Sequence, residues 1–159
     1  MKTLKFFLPI LLALTVGMAC SEKDTPREED DGNTGESKEV SFTKYSLAET
    51  SCQWIKINDN NEVVVINSNE EFNQYVTCTD NDYSAIDFSK YSLLLAHGLA
   101  SSSVVSVNCN SLQKFSEQSY KMNIDLSVGY ATVISYWQVP IIVNKLSEGC
   151  TIGITVTIK

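Results

Sequence analysis

The chain has 159 residues, 43% of them apolar and 19% charged, with a net charge of −7. Acidity on this scale, without a cluster of Lys or Arg, excludes nucleic acid and anionic headgroups as partners, since both need concentrated positive charge. One histidine is too few for an ordinary Cys/His zinc site, so no metal or cofactor is expected.

Met1 to Cys20 has the layout of a secretory signal peptide. Lys2 and Lys5 give a basic start, Phe6 to Val16 an apolar run, and Gly17-Met18-Ala19 a cleavage site of slim residues. The apolar run is too short to span a bilayer as a stable helix. Cys20 at the cut is similar to the lipobox cysteine of bacterial lipoproteins, which becomes a lipidated N-terminus. Ordinary secretion would cut the same Ala19–Cys20 bond. Residues 21–38 read SEKDTPREEDDGNTGESK, with no aliphatic or aromatic residue, and are expected to form a disordered acidic tether. Cys20-Ser21-Glu22-Lys23-Asp24 resembles the acidic export signals of Bacteroidetes-type surface lipoproteins. The expected address is the outer membrane, on its surface or its periplasmic face, with the lipid as membrane anchor.

Residues 39–159 then form one globular domain, a length that supports a single core. Val40 to Tyr45 alternates weakly. Trp54 to Ile57 and Val63 to Ile66 are short β-branched runs around Asn58-Asp59-Asn60-Asn61, which reads as a hairpin. Asp59 and Glu62 lack the Asp-x-Asx-x-Asx-Gly spacing of a calcium loop. Ser68-Asn69-Glu70-Glu71 is a capping box, and Phe72, Tyr75 and Val76 share one helical face, so a helix is predicted over Asn69 to Thr77. Tyr91 to Ala96 is a continuous apolar run that suits a strand buried on both faces. Gly98 to Ser103 is small and flexible, and Val104 to Cys109 begins another strand. Tyr120 to Val128 and Ile152 to Ile158 alternate with period two, the signature of half-buried strands. Ala131 to Val139 is a strand that Pro140 should stop, with Ile141 to Val143 continuing it. Ser147-Glu148-Gly149 makes the last turn. The sum is a mainly β fold with one short helix: an antiparallel sheet, sandwich or barrel-like, of about seven or eight strands.

Cys52, Cys78, Cys109 and Cys150 are even in number, and an exported chain permits disulfides. Three pairings exist, and buried thiols are the alternative. Cys52–Cys78 is the expected bridge, because both flank the same hairpin-and-helix unit.

The run Ile66 to Phe72, followed by Ile86-Asp87-Phe88 and then Tyr91 to Leu95, resembles the small β-rich domain of PrcB-like protease-complex subunits. It is also similar to many Bacteroidetes-type lipoproteins. The resemblance implies an accessory rather than a catalytic role. It departs from the pattern at Ala100-Ser101-Ser102-Ser103, where a Gly-rich turn and an aromatic residue are usual. Asp87 and Phe88 read as a turn acceptor and a core plug.

Catalytic residues are not expected. His97 lies beside Ser101 to Ser103, but no Gly-x-Ser-x-Gly elbow accompanies them. Asp59, Asp80, Asp82 and Asp87 all fall in predicted turns. Binding is the better reading. Trp54, Tyr130, Tyr136 and Trp137 are candidates for an aromatic platform, unless the tryptophans are buried in a sheet core. The expected function is a membrane-anchored, non-catalytic accessory subunit with an envelope protein as partner; the alternative is a glycan or small-ligand module.

Overall fold

The computed structural model describes residues 36–55 and 58–159. The leader, Cys20, residues 21–35 of the tether and the Lys56–Ile57 end of the first hairpin strand lie outside them. The described chain runs β1 (Lys38–Glu39), β2 (Thr43–Lys44), β3 (Cys52–Trp54), β4 (Glu62–Ile66), α1 (Asn69–Phe72), β5 (Val76–Cys78), β6 (Tyr91–Ala100), β7 (Val104–Ser116), β8 (Ser119–Val128), β9 (Ser135–Asn144) and β10 (Thr151–Ile158). One sheet has the order β1-β7-β8-β10, a second β2-β9-β6-β4, and β3 with β5 forms a two-stranded ribbon. The fold is mainly β and sandwich-like, with ten strands rather than seven or eight, two of them only two residues long.

Strand β6 organises the packing. Its residues from Ser92 to Gly98 are all buried, as its apolar run predicts. Leu94, Ala96 and Ala100 enter the core between the two sheets, with Met122, Ile124, Leu126, Trp137 and Ile141. Leu93 and Leu95 enter a second core, with Tyr45, Ile66, Phe72, Val76 and Ile86, under the ribbon and α1. The second sheet is therefore the middle of three layers. The one hydroxyl buried on β6 is satisfied: Ser92 Oγ donates to Asn67 Oδ1 and accepts from the Leu146 amide at 3.0 Å.

Phe72 is the hub of the second core. Tyr45, Trp54, Tyr83 and Phe88 surround it, with ring centroids 6.0, 5.9, 5.1 and 6.4 Å away. Burial pushes the Tyr45 phenol up to about 12, and its hydroxyl donates to the Ser84 carbonyl at 2.8 Å. Cys52 is bonded to Cys78 across the ribbon, as the sequence suggests. Closing a 26-residue separation limits the unfolded chain by about 3.5 kcal/mol in the loop-entropy picture. Beside it, Asp82 accepts from the Ser51 amide at 2.8 Å and from the Ser51 hydroxyl at 2.9 Å, which holds its carboxyl below the usual range.

Several sequence expectations are corrected. The predicted hairpin does not form: β3 pairs with β5, and β4 pairs with β6. The disulfide and the Trp54–Phe72 contact hold β3 in the outer layer. The β-branched side chains of β4 meanwhile split between the two cores: Val63 and Val65 pack on one, Val64 and Ile66 on the other. The helix is shorter than predicted. Its capping box is present, with Ser68 Oγ accepting from the Glu71 amide at 3.1 Å. The helix stops at Phe72 because Val76 to Cys78 is drawn into the ribbon. The sheets are not wholly antiparallel, since β10 runs parallel to β8 over all eight of its residues.

Pro140 does not stop β9, and Ala131 to Ile134 precede the strand rather than belong to it. Pro140 accepts from the Tyr45 amide on the β2 side at 3.1 Å. Its missing donor faces that same side in an extended strand, where the neighbour is only two residues long, so the β6 ladder is intact. Residues 98–100 are strand rather than a loose connector. Gly98 lies opposite Trp137, and a methyl group there would sit 2.6 Å from the indole carbon Cζ2. Gly149, with φ of 73°, takes the left-handed turn position that precedes β10.

Phe72→Ala removes the hub ring and should cost about 3–5 kcal/mol in urea unfolding. A loss below about 1 kcal/mol would contradict the hub assignment.

Candidate functional site

Strand directions define two ends of the domain. β6 and β8 run toward one end, β7 and β9 run away from it, and β10 arrives there with β8. That end carries the 58–61 loop, the 101–103 turn, the 129–134 loop and Lys159. The chain enters at the opposite end, where β1 pairs with Lys114 and Gln113 just before the β7–β8 turn.

The loop end exposes apolar side chains. Tyr130 is fully exposed, Val105 and Ile134 are each 72% exposed, and Val133 and Ile158 are also open to solvent. Val105 and Ile158 stand on β7 and β10, and backbone contacts fix the loop that carries Tyr130, Val133 and Ile134. The Gly129 amide donates to the Ser103 carbonyl at 2.7 Å, the Ser103 amide to Ala131 at 2.9 Å, and the Val133 amide to Ala131 at 3.0 Å. Gly129 allows the close approach, because a Cβ there would lie 2.5 Å from Ser103 Oγ. Tyr136 reaches across to the 58–61 loop and donates to Asp59 Oδ1 at 3.0 Å. A held loop bearing solvent-facing aromatic and branched residues is suited to contact with another surface.

The predicted aromatic platform is not assembled. Trp137 is 3% exposed in the core between the sheets, and Trp54, half-buried, packs on Tyr45 and Phe72 against the second core. Each ring removes more apolar area from water inside than it could on a surface. Of the four, Tyr130 and Tyr136 are exposed and Trp54 is half-buried. Val105, Val133, Ile134 and Ile158 were not singled out by sequence reasoning. Val133-Ile134 has the pattern of a strand, and Gly129 is the available sign that a loop begins there.

The remaining cysteines do not pair. Cys109 lies opposite Ile124, while Cys150 precedes the residue opposite Ser119, which separates them by about 20 Å along β8. A disulfide needs Cα atoms within about 7 Å. Both are free thiols; burial pushes Cys109 up to about 11 and raises Cys150 as well, which keeps both protonated and weakly reactive.

His97 is 2% exposed and faces Glu62, with Nε2 3.2 Å from Oε1 but without hydrogen-bond alignment. Ser101 lies four residues further along an extended strand, about 13 Å away, so the serines and His97 do not converge. Asp87 closes its own turn: it pairs with Lys90 at 2.8 Å and accepts from the Ser89 amide at 3.1 Å, and its carboxyl is held down at about 2. Among the described residues, no group of three or more His, Cys, Asp or Glu is placed to hold a metal ion. A cleft of about 390 Å³ at the entry end is lined by Lys38, Lys114 and Lys145. Lys114 is engaged with Glu117 at 2.6 Å, and Lys145 donates to the Asn67 and Phe88 carbonyls at 2.9 and 2.8 Å. Comparison with protein-family models, curated proteins and solved structures gives no match.

Burial holds the His97 imidazole below its ordinary 6.5, against the pull of Glu62. Below pH 6.5 the unfolded chain therefore binds a proton that the folded site resists, and stability falls as pH drops. The carboxyls of Asp82 and Asp87 act in a lower window, below 3.8. The urea midpoint should fall from neutral pH to about pH 5, and His97→Gln should flatten that slope. An unchanged slope in the variant would contradict the assignment.

Proposed function

We propose that this chain is a lipid-anchored lipoprotein of the outer membrane, acting as a non-catalytic accessory subunit that binds another envelope protein. The leader, the lipobox-like Cys20 and the acidic tether support the address. The remote PrcB-like resemblance supports an accessory role. The observation that carries the reading is the apolar loop end of Val105, Tyr130, Val133 and Ile134, which lies opposite the end where the tether enters. Interface centres are poor in charge and rich in aromatic residues such as Tyr130, and a few residues carry most of the affinity.

Capture of a glycan at the cell surface is the second reading. It is favoured by the exposed Tyr130 ring and, separately, by Tyr136, whose ring stands beside the Asp59 carboxylate.

The test is co-purification from gently solubilised outer membranes. Cys20→Ala should move the chain out of the membrane fraction. Tyr130→Ser with Ile134→Ser should lower recovery of a stoichiometric partner at least tenfold, with thermal unfolding unchanged, since hot-spot truncations typically cost about 2 kcal/mol or more. Undiminished recovery would remove the loop end from the account. Loss of binding on a glycan array instead would select the second reading.

A further inference from the structure

Among the described residues the two four-stranded sheets end in four edges, and three of them are blunted. The β7 edge is covered by β1 at one end, carries three register shifts, and is crossed by Lys44, whose Nζ donates to Asn108 at 2.7 Å. β2 is two residues long. β4 is five residues long and starts at Glu62. Short length, bulges and charge are the usual devices that keep an edge from pairing with another chain.

β10 has none of them. It is eight residues long, pairs with β8 without a register shift, and contains neither proline nor charge. Its outer edge has no strand partner among the described residues, because β4 across the seam belongs to the other sheet. Thr151, Gly153, Thr155 and Thr157 face outward, while Ile152, Ile154 and Val156 pack on the core. Such an edge is a template for strand addition through its backbone donors and acceptors.

We propose that β10 is a homotypic pairing edge: two copies of the chain add β10 to β10, antiparallel across a two-fold axis, and join their four-stranded sheets into one. The sequence of the edge selects a second copy as occupant. In the antiparallel register that sets Ile154 opposite Ile154, Thr151 meets Thr157 and Gly153 meets Thr155 on the outer face, while Ile152 meets Val156 on the inner one. Threonine pairs across strands are favourable. The domain has twelve acids against seven bases, so two copies repel each other overall. At β10 no carboxylates are present, and the antiparallel arrangement brings the Lys159 end of each copy beside the Glu148 turn of the other. A two-fold contact of this kind is closed and does not propagate into fibres. The paired strands do not include Tyr130, Val133 or Ile134 of the loop end.

The test is photocross-linking of the full chain in its own membrane, with benzoylphenylalanine in place of Thr155. The expected product has twice the mass of the chain, and both of its linked peptides come from β10 and its flanks. Gly153→Lys with Thr157→Lys in the same chain should lower that product at least tenfold, while thermal unfolding stays as in the parent. A Cβ at position 153 meets only the Tyr120 carbonyl at 3.7 Å, so the fold tolerates the change. No product, a product with a different protein, or a product undiminished by the two lysines would each overturn the proposal.

Discussion

The fold depends on one strand having no exposed face. β6 is buried from Ser92 to Gly98, and its alternating side chains serve two cores at once. Leu94 and Ala96 belong to the sandwich, Leu93 and Leu95 to the layer under the ribbon. At roughly 1.5–3 kcal/mol for each large apolar side chain fully buried, this strand concentrates much of the hydrophobic driving force. Its neighbours are constrained accordingly. β9 has to complete the ladder through Pro140, and does so by turning the missing donor toward the short β2. Gly98 has to leave room for the Trp137 ring. Ser92 has to find partners in Asn67 and Leu146, because an unsatisfied buried hydroxyl would cost about 1–3 kcal/mol.

The outer layer is small and would be marginal alone. β3 and β5 have three residues each and α1 has four. They are held by the Cys52–Cys78 bond, by the rings gathered on Phe72, and by the Ser51–Asp82 contacts. A disulfide here is consistent with an exported chain, in which such bonds persist. The ribbon is thus covalently closed on itself and packed onto β6 through Phe72 and Val76.

Much of the β class was legible in the sequence because periodicity reports burial directly. Tyr120 to Val128 and Ile152 to Ile158 alternate because one face of each meets the core, and Tyr91 to Ala96 is continuous because both faces do. The Ser68 cap was legible because it is a local interaction. Strand pairing was not, since register and direction are decided by distant partners. Asn58 to Asn61 has the composition of a hairpin turn, yet the strands on either side belong to different layers. The parallel β8–β10 pair joins residues about thirty positions apart, and nothing in either strand's own pattern marks its direction. The site was the least legible part. Trp137 has the chemistry of a binding residue, yet its bulk is buried between the sheets, while Val133 and Ile134 have the pattern of a strand and stand on an exposed loop.

The account makes β6 the wall that both cores share, so the two cores should not open separately from it. Native-state amide hydrogen exchange reads this most directly. The account predicts that the amides of Leu93, Leu94 and Leu95 exchange only through global unfolding, at the slowest rate in the domain. It also predicts that Phe72→Ala, a substitution in the second core alone, speeds them by the full loss in global stability. If these amides exchanged through a local opening, with the amides of Met122 and Ile124 in the other core still protected, β6 would not be the shared wall.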